Sequence, residues 1–348
     1  MLKPRCDTLA TRDPQGFRAS LAAWFDEYGR DLPWRRMQDP YPVLVSELML
    51  QQTQVATVLA GGYFTRFLQA FPTLDSLAVA EDEALLKAWE GLGYYRRVRH
   101  LRAAAQAVIR SHHGRFPEDL DALLALPGVG RYTAGAIRAF AFDLPAVLVD
   151  GNIARVISRL ANQHAPIDNS SGQAAIWKVA EKIACPERPR IHHSALMELG
   201  QVICRPGVPS CLACPVARWC ATRSPEKLPV KQGKIQVTAI EEHAILMRDA
   251  RDRILLHRES GQRRQGLWKL PVWPSEKVRH LPVVERESYV ITRYKVALIV
   301  HESNCMKAPI RPADDEAWVA IADVPALAMS APYRRVIGRL LGFADESM

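Results

Sequence analysis

The sequence predicts a mainly α protein: an all-helical part over residues 14–223, then a linker at 224–236 and a smaller α+β domain at 237–348. Three observations carry this expectation. Apolar residues recur at helical spacing through the first part, separated by short Pro or Gly breaks, and strand patterns are scarce before residue 235. Beyond residue 237 the pattern changes to short alternating or continuous apolar runs. Within the helical part, LPGVGRYTAGAI places a Pro-Gly-Val-Gly hairpin between two helical stretches.

In chain order, residues 1–13 are polar and read as a loose N-terminus. Phe17, Leu21, Trp24 and Phe25 mark one face of a helix ending near Tyr28, and Asp31 to Arg36 reads as a loop. Tyr41 to Leu50 reads as a buried, mostly apolar helix, and Thr53 opens a further helix running through to Phe67. Helical patterns recur at 83–90, 96–111, 173–184 and 191–203, while SPEKLPVKQGKIQ at 224–236 has linker composition. Strand-like runs begin at His243, Arg253, Tyr289 and Lys295, and Ala331 to Leu341 reads as a closing helix.

The chain has 348 residues, a net charge of +9, and arginine outnumbering lysine 35 to 11. A moderate surplus can serve solubility alone; phosphate binding is favoured only because planar guanidinium forks suit it and the glycine hairpin is present. No apolar run approaches the ~20 residues of a membrane span, and none near the start resembles a signal peptide. The expected location is therefore cytoplasmic in a bacterium, or nuclear or organellar in a eukaryote.

The hairpin is the first candidate site. Gly128 and Gly130 can take a positive φ or allow close approach, and the backbone N–H groups of Gly128, Val129 and Gly130 form a cradle suited to a DNA phosphate. Twenty residues past Gly130 lies Asp150, placed to cap the helix that begins Gly-Asn-Ile-Ala. An anion fixed beside a DNA-binding hairpin can stabilise a positively charged sugar. Glu47 is a lone carboxylate in the apolar run Val-Leu-Val-Ser-Glu-Leu-Met-Leu: either a salt-bridged core residue, or an acid that desolvation would keep protonated near neutrality. Two carboxylates with pKa values pushed apart can divide acid and anion roles between them.

Four of the seven cysteines, Cys204, Cys211, Cys214 and Cys220, follow the spacing Cys-x6-Cys-x2-Cys-x5-Cys. Four thiolates suit tetrahedral zinc or an iron–sulfur cluster, and spacing alone leaves both open. Cys6, Cys185 and Cys305 lack such spacing and read as structural or free thiols.

LPGVGRYTAGAI followed by VDGN resembles the helix-hairpin-helix DNA glycosylases, and SELMLQQTQV at 46–55 narrows the resemblance to the MutY-type adenine DNA glycosylases. It covers most of residues 15–225 closely and the remainder more loosely. The resemblance implies a monomeric enzyme that hydrolyses the N-glycosidic bond of adenine mispaired with 8-oxoguanine or guanine in double-stranded DNA. It implies a [4Fe-4S] cluster on the four cysteines, Glu47 as the acid that protonates adenine, and Asp150 as the stabilising anion. By the same resemblance Trp34, Arg35 and Leu50 line the adenine pocket, and Gln52 and Tyr94 enter the base stack. Tyr132 stands where relatives of the endonuclease III type carry a Schiff-base lysine, so a monofunctional enzyme is expected, with Tyr132 orienting Asp150 and Asn152 holding water or Glu47. Gly266-Leu-Trp matches the family's nudix-like C-terminal domain, although no nudix box is present.

Two positions depart from the family. Ser194 replaces a Glu or Gln that contacts adenine, and Ile291-Thr292-Arg293 stands where a Phe-Ser-His loop probes 8-oxoguanine. They motivate an alternative, the same scaffold acting on a different base pair. A non-catalytic mismatch-binding protein is a second alternative, opposed by the intact Glu47 and Asp150.

Overall fold

The structure is a computed structural model that describes residues 7–233, 236–261, 263–303 and 312–343. Cys6 and Cys305 lie outside the described residues. The helices are α1 (Leu9–Arg12), α2 (Pro14–Tyr28), α3 (Pro40–Leu50), α4 (Val55–Ala60), α5 (Tyr63–Ala70), α6 (Leu74–Ala78), α7 (Asp82–Ala88), α8 (Arg96–His112), α9 (Leu120–Leu124), α10 (Arg131–Ala136), α11 (Gly151–Leu160), α12 (Ser170–Ile183) and α13 (Pro189–Val202). They are followed by β1 (Thr238–Met247), β2 (Arg253–Arg258), β3 (Trp268–Lys269), α14 (Ser275–Val278), β4 (Val283–Ile291), β5 (Tyr294–Ser303), β6 (Glu316–Ala320) and α15 (Ala331–Leu341). A helical first part and a sheet-containing C-terminal part are thus as expected. Among the described residues, no helix is long and apolar enough to cross a membrane.

Three local expectations need correction. The single helix from Thr53 to Phe67 is two, α4 and α5, because Gly62 sits at φ +58°, a left-handed conformation that a continuous helix excludes. The N-terminus is not loose throughout: Thr8 and Thr11 form a reciprocal capping box on α1, and Ala10 is fully buried. The linker-like segment is anchored at least as far as Gln232. Arg159 donates to the carbonyls of Pro225 and Leu228, Ile167 N–H to that of Val230, and Asp168 accepts from Gln232 N–H. Proline-rich composition signalled the absence of regular structure, not the absence of attachment.

Two compact units are present, and they are not consecutive in sequence. One comprises the described residues of Met1–Glu47 and Ala107–Lys234. Its core gathers Phe17 and Leu21 of α2, Ile153, Val156 and Ile157 of α11, Ile176 and Val179 of α12, and Leu196 and Leu199 of α13, with Trp219 from the cysteine loop. The other comprises the described residues of Leu48–Gln106 and Ile235–Met348. Its strands form two three-stranded sheets, ordered β1-β5-β4 and β3-β2-β6. The β1–β5 pair is parallel; the other pairs are antiparallel. Tyr333, Val336 and Ile337 of α15 pack with Leu246, Leu256 and Val300 in that unit's core.

Candidate active site

Glu47 lies near the end of α3 and is 4% exposed. Burial pushes its carboxyl up to about 7. The hydrogen bond from Tyr132 opposes that shift and the charge of Asp150 adds to it. Tyr132, the second residue of α10, donates its hydroxyl to Glu47 Oε2 at 2.5 Å. The phenol is itself held well above its ordinary value by burial and by the two carboxylates, so it remains a donor at any neutral pH. With Oε2 engaged as an acceptor, a proton carried by Glu47 belongs on Oε1. Tyr132 is thus hydrogen-bonded to Glu47, whereas the resemblance implied that it orients Asp150.

Asp150 caps α11, as its position implied. One carboxylate oxygen accepts from Ile153 N–H at 2.7 Å and the other from Asn152 Nδ2 at 2.7 Å. Asn152 thus donates to Asp150, where the resemblance implied water or Glu47. Its own carbonyl accepts from Arg155 Nη2 at 2.9 Å. Arg155 in turn donates to the carbonyls of Gly200 at 2.7 Å and Cys204 at 2.8 Å. Gly200 is required here, since a Cβ would meet Asn152 Cβ at 2.8 Å. The carboxylate is held by donors fixed on α11, which are braced in turn by α13.

The hairpin departs from expectation in detail. Gly128 is left-handed at φ +75°, whereas Gly130 is extended at φ −96° and caps α10 with open space where a Cβ would stand. Val129 is buried and its N–H donates to the Leu126 carbonyl at 3.1 Å. Val129 therefore braces the turn from inside and offers no amide to a phosphate.

Trp34 and Arg35 lie in a 3-10 turn, Pro33–Arg36, where a loop was expected. Trp34 is buried. Arg35 donates to Glu198 Oε2 at 2.7 Å and to the Arg30 carbonyl at 2.8 Å, and it lies over the Phe25 ring. Glu198, fully buried on α13, also accepts from Arg30 Nε at 2.5 Å and Nη2 at 3.0 Å. Burial acts to raise its carboxyl, but the two arginines hold it below the usual range. Ser194 lies one helical turn earlier on α13 and is buried. Glu198 escaped the sequence reading, although it bears the mark that exposed Glu47, a lone carboxylate in an apolar helix.

Leu50, Gln52 and Tyr94 belong to the other unit. Leu50 closes α3, while Gln52 (φ +59°) and Tyr94 (φ +47°) are both left-handed corners, and Tyr94 is 51% exposed. In that unit Ile291 pairs with Tyr294, which makes Thr292 and Arg293 a two-residue hairpin turn with Thr292 at φ +54°. Arg293 donates to the Tyr294 hydroxyl at 3.0 Å and stacks on its ring.

The four loop cysteines converge. Burial, and then the proximity of Cys204, Cys220 and Cys211, push the Cys214 thiol up to about 11. Arg159 donates to Cys204 Sγ at 3.2 Å and binds the carbonyls of Arg205 and Gly207. Among the described residues, no three Cys, His, Asp or Glu side chains stand in an arrangement that holds a metal ion. The donor chemistry nonetheless fits one: four soft sulfurs on one loop suit a soft cation, and burial raises the thiols of Cys214 and Cys220, so a cation would have to stabilise them as thiolates.

Glu47, Tyr132, Asp150 and the glycine hairpin belong to one compact unit, and residues 45–182 match the HhH-GPD superfamily of base excision DNA repair proteins. The chain is 33% identical over 257 residues to an adenine DNA glycosylase of Buchnera aphidicola, covering 73% of this chain and 71% of that one. It is 44% identical over 216 residues to the human adenine DNA glycosylase, covering 60% of this chain and 39% of the relative's length. A trapped endonuclease III–DNA covalent intermediate superposes with a TM-score of 0.52 at 26% identity, covering 62% of this chain and 97% of that one. The chain belongs to the adenine DNA glycosylase family.

Proposed function

We propose that the protein is a monofunctional adenine DNA glycosylase of base excision repair, which hydrolyses the N-glycosidic bond of adenine opposite 8-oxoguanine or guanine in double-stranded DNA. The carrying observation is the Tyr132–Glu47 hydrogen bond within a site shared with Asp150. A carboxyl near 7 is partly protonated at neutral pH, and Tyr132 leaves that proton on Oε1 for delivery to the departing adenine. Asp150, held by Ile153 N–H and Asn152, faces the sugar cation as an anion that need not reorganise during the reaction. The alternative of a non-catalytic mismatch binder gains nothing from this arrangement, because holding DNA does not call for a buried acid.

In this reading Cys204, Cys211, Cys214 and Cys220 hold a [4Fe-4S] cluster. When bound, the cluster supplies a covalent tie that closes the loop, while Arg155 and Arg159 carry the loop backbone toward α11. Gly128 and Gly130 admit a DNA phosphate, Trp34 and Arg35 wall the base pocket, and Gln52 and Tyr94 enter the duplex. Residues 14–223, contributed by both compact units, carry the glycosylase function of a monomer, and 237–348 is a nudix-like part of the second unit whose Thr292–Arg293 turn probes the opposite base. Ser194 leaves room for a base other than adenine.

The test is base release from duplexes pairing each normal base with G, 8-oxoguanine, C and T. Adenine release opposite 8-oxoguanine and G, with strand scission only after added alkali, is the expected result. Release of another base in preference moves the assignment to the altered-pair alternative. Efficient borohydride trapping refutes the monofunctional reading, since Tyr132 has no amine to form an imine.

A further inference from the structure

Arg97, the second residue of α8, is 8% exposed, and among the described residues none of its hydrogen-bond partners is a carboxylate. Nη1 donates to the carbonyls of Leu48 at 2.8 Å and Met49 at 2.9 Å, and also to that of Gln51. Nη2 donates to the carbonyls of Leu92 at 2.9 Å and Gly93 at 3.1 Å, and both nitrogens reach Thr53 Oγ1. The guanidinium also lies 5.4 Å from the Trp89 ring centroid and 5.6 Å from that of Tyr94. A single side chain thus satisfies orphan carbonyls at the end of α3 and ties them to the turn before α8. Burial pushes its pKa down to about 10, which still leaves it charged at neutral pH.

The placement of these bonds is informative. Gln52 lies between two of the captured residues, Gln51 and Thr53, and Tyr94 directly follows a third, Gly93. Both are non-glycine residues in the left-handed region, a conformation that persists only where the surroundings over-determine it. Both side chains are exposed. We propose that Arg97 is a positioning residue for duplex insertion: its one guanidinium fixes the corners at Gln52 and Tyr94 together, so that both side chains enter the base stack as a unit. This rests on the role given above to Gln52 and Tyr94. A lysine retains the charge but has no fork with which to bridge two segments.

The experiment uses the full chain with Arg97→Lys, and Gly93→Ala as a second variant that strains the same corner at φ +67° while keeping Arg97. Amide hydrogen exchange without DNA is expected to quicken about tenfold or more at residues 51–54 and 92–95 and to stay unchanged in α11. With 2-aminopurine at the target position, the fluorescence rise on binding should be lost, and single-turnover release should fall roughly tenfold to a hundredfold. Affinity for undamaged duplex should hold within about twofold, since the buried Arg97 is not placed to meet a phosphate. In a Tyr94→Ala background, Arg97→Lys should cost little more. Unchanged exchange at the two corners, or an additive double variant, overturns the positioning role even if wild type releases adenine. Accelerated exchange in a protein that neither flips nor releases a base sinks the glycosylase reading and leaves the corner-holding intact.

Discussion

Replacing Glu47 with Gln separates two consequences of one buried carboxyl. The group ionises at about 7 in the folded protein, against 4.5 for the ordinary value. The folded state holds this proton more tightly than the unfolded chain does. Its stabilising contribution is therefore complete below pH 4.5, declines as the pH rises, and is gone above about 7. At 1.36 kcal/mol per unit, the difference amounts to about 3 kcal/mol, most of it lost between roughly pH 5 and pH 8. Gln fills nearly the same volume, still accepts from Tyr132, and does not titrate. Relative to wild type, Glu47→Gln should thus gain about 2–3 kcal/mol on going from pH 5 to pH 8. For a unit of this size that is a relative rise in melting temperature of roughly 5–10 °C. Base release should meanwhile fall at least a hundredfold, the low end of what general acid catalysis supplies. Thermal melts of both proteins at the two pH values, with single-turnover kinetics, provide the measurement. If the stability difference is the same at pH 5 and pH 8, the carboxyl is not poised near neutrality. A variant keeping more than about a tenth of the rate would show that it is not the acid.

Two further outcomes are expected. Protein prepared anaerobically should contain about four irons per chain and lose them in Cys211→Ser, with impaired folding or DNA affinity; stoichiometric zinc in the wild type would refute the cluster assignment. Wild type should discriminate between 8-oxoguanine and G only weakly, because Arg293 adds phosphate attraction without reading a base edge, and Arg293→His should improve that ratio roughly fivefold. Strong discrimination by wild type that Arg293→Ala leaves untouched would place recognition away from the Thr292–Arg293 turn.

Much of the candidate site was legible because its chemistry is unusual where it stands. A carboxylate inside Val-Leu-Val-Ser-Glu-Leu-Met-Leu demands a reason, and an Asp directly before a helix suggests its own hydrogen bond. What remained hidden was the partner of each group. Tyr132 and Glu47 are 85 residues apart, and no periodicity tells which carboxylate a phenol will reach. Val129 looked like part of an outward cradle because a hairpin's amides are interchangeable in sequence, yet its apolar side chain turns that residue inward. Glu198 was equally conspicuous in its apolar helix, but its pairing with Arg30 and Arg35, some 165 residues away, leaves no mark in the pattern.

The arginine surplus also takes a second meaning. Read from composition, guanidinium forks in place of ammonium groups favour phosphate. In the structure, Arg97, Arg155 and Arg159 are buried, each collecting backbone carbonyls from segments next to functional residues. Arg97 holds the corners of Gln52 and Tyr94, Arg155 braces Asn152 behind Asp150, and Arg159 gathers the cysteine loop and the segment after it. These carbonyls lie in the last turns of helices and in loops, where few helix or sheet donors reach them, and a buried carbonyl without a donor is costly. A lysine supplies three donors from one atom and cannot span two segments; a guanidinium supplies five in a fixed plane. A fold that places its candidate functional groups on short turns between helices therefore needs arginine inside as well as outside. Part of the arginine count therefore serves the protein's own backbone and not its surface.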